Sequence, residues 1–183
     1  MSRAALLERP WPDWFAEAMD RTMPPGAEPL SLFRAIGRSP RAWSKFAGGS
    51  LLDRGPLSLR EREIVIDRTT ARSGCDYEWG IHVHLFGERA GLSQAQIHDT
   101  ARPTVDPTLW TVAESVLLET VDRLLDKKSL DDSEYDALAT HYSEAQVLEI
   151  IQLIAFYHGV ALICGAFDLA PEPGMPTLPS SGD

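Results

Sequence analysis

The stretch LSLREREIVIDRTTARSGCDYEWGIHVHLFGERAG, residues 57–91, decides the fold of this 183-residue chain. It predicts two helices joined by a tight turn at Ser73-Gly74. Ser58 is followed three residues later by Glu61, the capping-box pattern that is typical of a helix start. The second predicted helix ends at Gly91, a residue that commonly stops helices.

The first predicted helix carries a carboxylate within its apolar face. At about 100° per residue, four residues share this face: Leu59, Glu63, Ile66 and Thr70. The other charged residues, Asp67 and Arg68 among them, are expected round the rest of the helix. A buried carboxylate is unfavourable unless something pairs with it, so Glu63 is a candidate functional residue.

The second predicted helix begins at Cys75 or Asp76 and carries three polar residues on one arc. Cys75, Glu78 and His82 have i, i+3, i+7 spacing and lie within about 60° of one another. The helix dipole favours a thiolate at a helix N-terminus, and a carboxylate four residues from an imidazole can share its proton. We therefore predict that Glu63 meets these three residues in one partly buried pocket.

Each of these residues also has a purely structural interpretation. Glu63 could pair with a core arginine, His82 could be a core histidine bonded to Glu78, and Cys75 could be a small buried residue. Cys164 lies on the apolar face of a later predicted helix, where core packing is expected. It would serve as a resolving thiol only if the fold brings its sulfur beside Cys75. We predict no metal site, because the spacing lacks a second histidine ligand.

The segment resembles the active-site helix pair of the carboxymuconolactone decarboxylase family, which includes alkylhydroperoxidase D. The redox branch of that family carries a glutamate, then a Cys-x-x-Cys motif, then a histidine. Glu63 matches the glutamate, Cys75 the first cysteine and His82 the histidine. Glu78 stands in place of the second cysteine, and Tyr77 stands where a further histidine often occurs.

The whole chain is predicted to be all-α, because no strand-like alternation of useful length appears. The resemblance implies an alkylhydroperoxidase D-like helical domain built round an antiparallel helix pair. We expect this single domain over residues 1–170, with the Pro- and Trp-rich residues 1–29 as an N-terminal arm. The segment 171–183, PEPGMPTLPSSGD, is predicted to be a flexible Pro-rich tail.

Composition limits the partners and the compartment. A net charge of −10 argues against nucleic acid, because no basic stripe exists to neutralise phosphates. Polar residues interrupt the apolar run at 147–170, which predicts a buried helix and no membrane span. The N-terminus has no long apolar stretch typical of a secretory signal, so the reducing cytoplasm is the expected compartment.

Two kinds of chemistry fit the resemblance. The first is a cofactor-free lyase or isomerase acting on a small carboxylated lactone or related ring compound. His82 would donate the proton, while Glu63 and Glu78 set its protonation. The second is a thiol peroxidase, in which Cys75 forms a sulfenic acid that a second thiol must resolve. The lyase ranks first, because it requires no disulfide.

Two aromatic residues on the second helix, Tyr77 and Trp79, are candidates for substrate binding. Three arginines are candidates for holding a substrate carboxylate, by proximity alone: Arg62, Arg68 and Arg72. We predict no cofactor. A third interpretation is a non-catalytic, ligand-binding helical oligomer, and the resemblance implies a homo-oligomer, commonly a trimer or a hexamer.

Overall fold

A computed structural model describes residue 3 and residues 5–179. All regular secondary structure in this part of the chain is helical and no strand occurs in it, so the all-α prediction is confirmed. The described residues form nine α-helices: α1 Asp13–Thr22, α2 Ser31–Ile36, α3 Pro40–Ala47, α4 Leu59–Arg72, α5 Asp76–Phe86, α6 Gln94–Thr100, α7 Val112–Lys127, α8 Asp132–His141 and α9 Glu144–Phe167. A short 3₁₀ helix covers Pro107–Leu109.

Capping residues in the sequence determine where most of these helices begin. In α4, the Ser58 hydroxyl accepts a hydrogen bond from the Glu61 N–H, and the Glu61 carboxylate accepts one from the Ser58 N–H. The same reciprocal pair occurs at the starts of α6, α7, α8 and α9. These contacts satisfy backbone donors that the first turn of a helix leaves free.

α5 is shorter than predicted, ending at Phe86 instead of near residue 90. A side chain at Gly87 would meet the Val83 carbonyl and the Ile97 side chain. The absence of a Cβ therefore lets the chain leave the helix close to α6. Gly91 then reverses direction with φ of +67°, a conformation that glycine adopts without steric cost.

α4 is the central helix and packs against α5, α7 and α9. Its residues 63–70 are all buried. The expectation that Asp67 and Arg68 lie on the outer surface is therefore wrong, since both are fully buried. Over these residues the helix is enclosed by three others and has no solvated face. Arg68 is neutralised by a two-pronged salt bridge to Asp122, with contacts of 2.8 and 2.6 Å.

α1 joins the rest of the molecule through an aromatic cluster. Phe15 is fully buried, and its ring meets the Trp43 ring of α3 edge-to-face at 6.0 Å. Trp11 and Trp14 each pack edge-to-face against Phe15 at 5.6 Å. This part of the predicted N-terminal arm therefore lies against α3.

The segment that follows α9 lies along α5. The Leu178 N–H donates to Asp76 at 2.7 Å, and the Tyr77 hydroxyl donates to Glu172 at 2.5 Å. The carbonyl of Pro176 approaches Gly80 so closely that a Cβ there would collide with it. Residues 171–179 of the predicted flexible tail thus have defined contacts; residues 180–183 lie outside the described residues.

α9 is long and apolar enough to cross a membrane by length and composition, with mean hydropathy of 1.9. Of its most apolar window, 44% is buried in the fold. One such helix is a weak indication of a membrane span, because the core helices of other folded proteins can be equally long and apolar. Its inner face, including the fully buried Ile150, packs onto α4 and α5.

Candidate functional site

α4 and α5 bring the imidazole of His82 between two carboxylates. His82 Nδ1 lies 2.7 Å from Glu63 Oε2, and His82 Nε2 lies 3.5 Å from Glu78 Oε1. All three side chains are buried. Helical spacing accounts for the Glu78 contact, whereas the Glu63 contact requires the packing of α4 against α5.

The two carboxylates determine the protonation of His82. Burial by itself lowers the pKa of His82, but hydrogen bonds to Glu63 and then Glu78 outweigh it and raise the pKa to about 10. The ring is therefore an imidazolium at neutral pH. The Tyr157 ring contacts it edge-to-face at 5.0 Å and Phe86 lies at 5.3 Å, which limits its contact with water.

Asp67 is a site residue that the sequence analysis missed. It lies one turn after Glu63 on α4, is fully buried, and neither carboxylate oxygen has a hydrogen-bond partner. Burial, and then the charge of Glu63, raises the pKa of Asp67 well above its ordinary value, while His82 opposes them. The i, i+4 spacing of the two acids was the available signal, since residues four apart are neighbours on a helix.

The two cysteines meet at the ends of their helices. Cys75 is the N-cap residue of α5, Cys164 lies in the last turn of α9, and both are buried free thiols. A hydrogen bond from the Cys164 thiol lowers the pKa of Cys75, although burial acts in the opposite direction. The same contact, together with burial, raises the pKa of Cys164 well above its ordinary value. Cys75 is thus the better nucleophile of the pair.

The candidate substrate-binding residues lie outside the Cys75–His82 arc. The Tyr77 hydroxyl donates to Glu172 and accepts the Leu32 N–H at 2.9 Å, so its polar group is fully engaged. Trp79 donates to the Thr100 hydroxyl at 3.2 Å. These hydrogen bonds attach α5 to its neighbours, and a role in substrate binding stays a prediction.

Two cavities open on the surface, away from the site. The first, of about 660 Å³, is bordered by Trp79, His84, His98, Arg102 and Pro176 among others. The second, of about 590 Å³, lies between α2, α3 and the end of α9. Neither is lined by a member of the set Glu63, Cys75, Glu78 and His82.

The three candidate arginines are already engaged. Arg68 is bound to Asp122, as described above. Arg72 contacts Asp122 at 3.2 Å and Asp126 at 2.9 Å. Arg62 donates to the carbonyls of residues 51 and 53, and its Nε lies 3.6 Å from Glu63. A substrate carboxylate would have to displace these partners.

Residues that could hold a metal are not grouped in this part of the chain. Over the described residues, no three or more His, Cys, Asp or Glu side chains have a suitable arrangement.

Comparisons with known proteins show which family and which folds this chain is similar to. The model of the carboxymuconolactone decarboxylase family matches residues 38–122, a range that contains Glu63, Cys75, Glu78 and His82. No curated protein matches the chain in sequence.

Several solved structures share the fold. An uncharacterized peroxidase-related protein from Silicibacter sp. TM1040 has a TM-score of 0.77 and 15% identity, over 95% of this chain and 93% of that one. Another peroxidase-related protein, from Ralstonia eutropha JMP134, is described as an alkylhydroperoxidase AhpD core. It has a TM-score of 0.76 and 18% identity, over 94% of this chain and 93% of that one. A protein of unknown function from Agrobacterium tumefaciens has a TM-score of 0.65 and 20% identity, over 74% of this chain and 93% of that one. The fold is therefore alkylhydroperoxidase D-like, as predicted.

Proposed function

We propose that this chain, whose residues 38–122 match the model of the carboxymuconolactone decarboxylase family, reduces small hydroperoxides with Cys75 as the nucleophilic thiol. The observation that carries the proposal is the contact between Cys75 and a second thiol, Cys164. From the sequence, a lyase ranked first because it requires no disulfide and no second cysteine lies close to Cys75 along the chain. That objection does not apply to the folded chain, so the order of preference is reversed.

The proposed reaction begins at the Cys75 thiolate. Its sulfur attacks a hydroperoxide ROOH, so that an S–O bond forms, the O–O bond breaks, and the products are a sulfenic acid and an alkoxide RO⁻. The alkoxide then takes a proton. The His82 imidazolium supplies this proton through Glu78, which lies one turn from Cys75 and 3.5 Å from His82. Glu63 holds the opposite ring nitrogen and fixes the orientation of His82.

Burial favours a small substrate. Cys75 is 5% exposed, but its neighbours Gly74 and Asp76 are both exposed, so the sulfur lies just beneath the surface. His82 and Glu63 lie deeper, and the two cavities described above do not reach them. A hydroperoxide needs to reach only the sulfur, whereas a ring compound would have to reach His82. Two structures with this fold are described as peroxidase-related, which makes hydroperoxides the first substrates to test.

The test is hydroperoxide consumption by the purified protein with dithiothreitol as reductant. We expect Cys75→Ser to abolish turnover and His82→Gln to slow it by about 100-fold, the usual contribution of a general acid. His84→Gln is the matched control, because His84 lies on the exposed side of the same helix and should leave the rate unchanged. A Cys75 thiol that reacts no faster than free cysteine would overturn the proposal.

A proton-transfer lyase is the second candidate. The observation in its favour is the buried imidazolium of His82, because decarboxylation leaves a carbanion or enolate that needs a proton donor. The Cys75→Ser protein distinguishes the two reactions. If the protein is a lyase, the Cys75→Ser variant would keep its activity on a small carboxylated lactone. The His82→Gln variant would lose that activity.

We further propose that the protein works in the reducing cytoplasm. Both thiols are free, and a reducing compartment returns an oxidised thiol to this state. Fractionation of the native host, with detection of the protein by antibody, tests this placement.

A further inference from the structure

We infer that Cys164 is the resolving thiol of this site and forms a reversible disulfide with Cys75. α9 would thereby supply the second sulfur, since α5 carries Glu78 three residues after Cys75. This inference rests on the proposed peroxidase function and adds the identity of the second redox residue.

The register of two packed helices places the two sulfurs together. Cys75 precedes His82 by seven residues on α5, and Tyr157 precedes Cys164 by seven residues on α9. The rings of His82 and Tyr157 are in contact at 5.0 Å. Both spans are about 10.5 Å at the helical rise, so antiparallel packing that joins His82 to Tyr157 also brings Cys75 opposite Cys164. The ring contact and the thiol contact are separate observations of one register.

The surroundings of the pair suit disulfide formation. Cys75 and Cys164 are 5% and 4% exposed, so no other protein thiol reaches both sulfurs unless the structure opens locally. Cys75 caps the start of α5 and Cys164 lies near the end of α9, where Asp168 has left-handed geometry. Forming the bond requires the sulfurs to close to about 2.05 Å. Helix ends adjust to such a movement more easily than helix centres, because fewer backbone hydrogen bonds constrain them.

The chemistry of the resolving step is balanced. The Cys164 sulfur attacks the sulfur of the Cys75 sulfenic acid, the S–S bond forms, and the S–O bond breaks. The sulfenic oxygen leaves as water, taking with it the Cys164 proton. An external dithiol then reduces the disulfide by thiol exchange, and is itself oxidised to a disulfide. This dithiol is the only co-reactant that the cycle needs besides the hydroperoxide.

Disulfide mapping of the wild-type protein tests the inference without any mutation. The reduced protein is treated with one equivalent of hydrogen peroxide, alkylated, digested and analysed by mass spectrometry. We expect an intramolecular Cys75–Cys164 peptide, the loss of both free thiols, and no sulfenic acid trapped by dimedone. A stable Cys75 sulfenic acid beside a free Cys164 would overturn the inference and leave the proposed function standing.

The Cys164→Ser variant provides the second readout. We expect its first oxidation by peroxide to stay within about threefold of wild type, while dimedone now traps Cys75 and the protein over-oxidises to the sulfinic acid. Steady turnover with dithiothreitol should fall at least about tenfold. Unchanged turnover in a folded variant, judged by circular dichroism, would contradict a resolving role.

A thiol oxidant separates the two proposals if peroxide fails to oxidise Cys75. That failure removes the peroxidase function. Diamide then oxidises thiols without any peroxide chemistry, and it should still produce the Cys75–Cys164 disulfide if the two sulfurs can bond. If diamide also leaves both thiols free in the folded protein, the pairing itself is wrong.

Discussion

Two buried acids one turn apart on α4 illustrate how differently single residues of this site are held. Glu63 is hydrogen-bonded to the His82 imidazolium, whereas both oxygens of Asp67 lack a partner. An unpaired buried charge is strongly unfavourable, so the pKa of Asp67 is raised well above its ordinary value and the acid retains its proton. Glu63 therefore stabilises the site through its hydrogen bond to His82, whereas Asp67 is tolerated because it is neutral.

Replacing these two acids by their amides should change stability in opposite directions near pH 7. Glu63→Gln leaves His82 with one carboxylate partner fewer, and we expect a loss of about 3 kcal/mol in the free energy of unfolding. Asp67→Asn resembles the protonated acid and removes the tendency of Asp67 to ionise. We expect it to raise the free energy of unfolding by about 1 kcal/mol. Urea unfolding of both variants measures these changes.

The pH dependence follows from the two pKa shifts. The pKa of His82 is raised from 6.5 to about 10, so its stabilisation is complete below the lower value and is lost as pH rises through the higher one. The penalty of Glu63→Gln should therefore shrink as pH rises towards about 10. The protonated Asp67 contributes fully to the stability of the folded protein at pH values below its ordinary pKa of 3.8. That contribution is lost as pH rises through the raised pKa of the folded state. Glu119→Gln on the exposed side of α7 is the control. If Asp67→Asn lowered the free energy of unfolding as much as Glu63→Gln does, Asp67 would be a paired charge.

At the scale of elements, α5 is held on both sides. Its site face packs on α4 and α9, and residues 171–179 contact its other side at Asp76, Tyr77 and Gly80. Gly80 is the position where this segment comes closest, through the carbonyl of Pro176. A backbone carbonyl cannot rotate away as a side chain can, so the contact depends on the missing Cβ.

Two glycine-to-alanine substitutions inside helices should have opposite effects. Gly159→Ala on α9 meets nothing within contact distance, so we expect only the helix-propensity gain of about 0.5–1 kcal/mol. Gly80→Ala has the same intrinsic gain but should be destabilising, because its Cβ displaces Pro176. The free energy of unfolding and the exchange rate of the Leu178 N–H, which bonds Asp76, measure both effects.

Faster exchange at Leu178 is expected only in the Gly80 variant. Equal stabilisation by the two substitutions would mean that residues 171–179 do not press on α5. That outcome would support the flexible tail expected from the sequence.

At the scale of the whole molecule, α9 presents an apolar outer face. Leu148, Ile151 and Leu162 share one side of the helix and are 63%, 39% and 61% exposed. The family resemblance implies a homo-oligomer, and burying this face between copies would remove apolar surface from water. A trimer or hexamer stays a prediction.

We expect the wild-type protein to have a mass above 20.2 kDa by size-exclusion chromatography with light scattering. Leu162→Glu should lower that mass, because a charge in an apolar contact is unfavourable. Val112→Glu is the matched control, since Val112 is 72% exposed at the start of α7, where a carboxylate suits the helix N-terminus. A monomeric wild-type protein would contradict the expectation.

Local order in the sequence was enough to predict a large part of this protein. Capping residues located the starts of helices, and the 3.6-residue period placed Cys75, Glu78 and His82 on one arc. The family resemblance, now supported by the match over residues 38–122, predicted the helical fold. These features depend on residues a few positions apart, whose relative geometry a helix dictates.

Only the tertiary structure decided which surfaces became the interior. Asp67 and Arg68 appear polar and outward by periodicity, yet α4 is enclosed by three helices and has no outer face there. Cys164 lies 89 residues after Cys75 in sequence, and the antiparallel register of α9 against α5 brings the thiols together. Periodicity describes one helix at a time, whereas burial and the Cys75–Cys164 contact depend on which helices pack together and in which register.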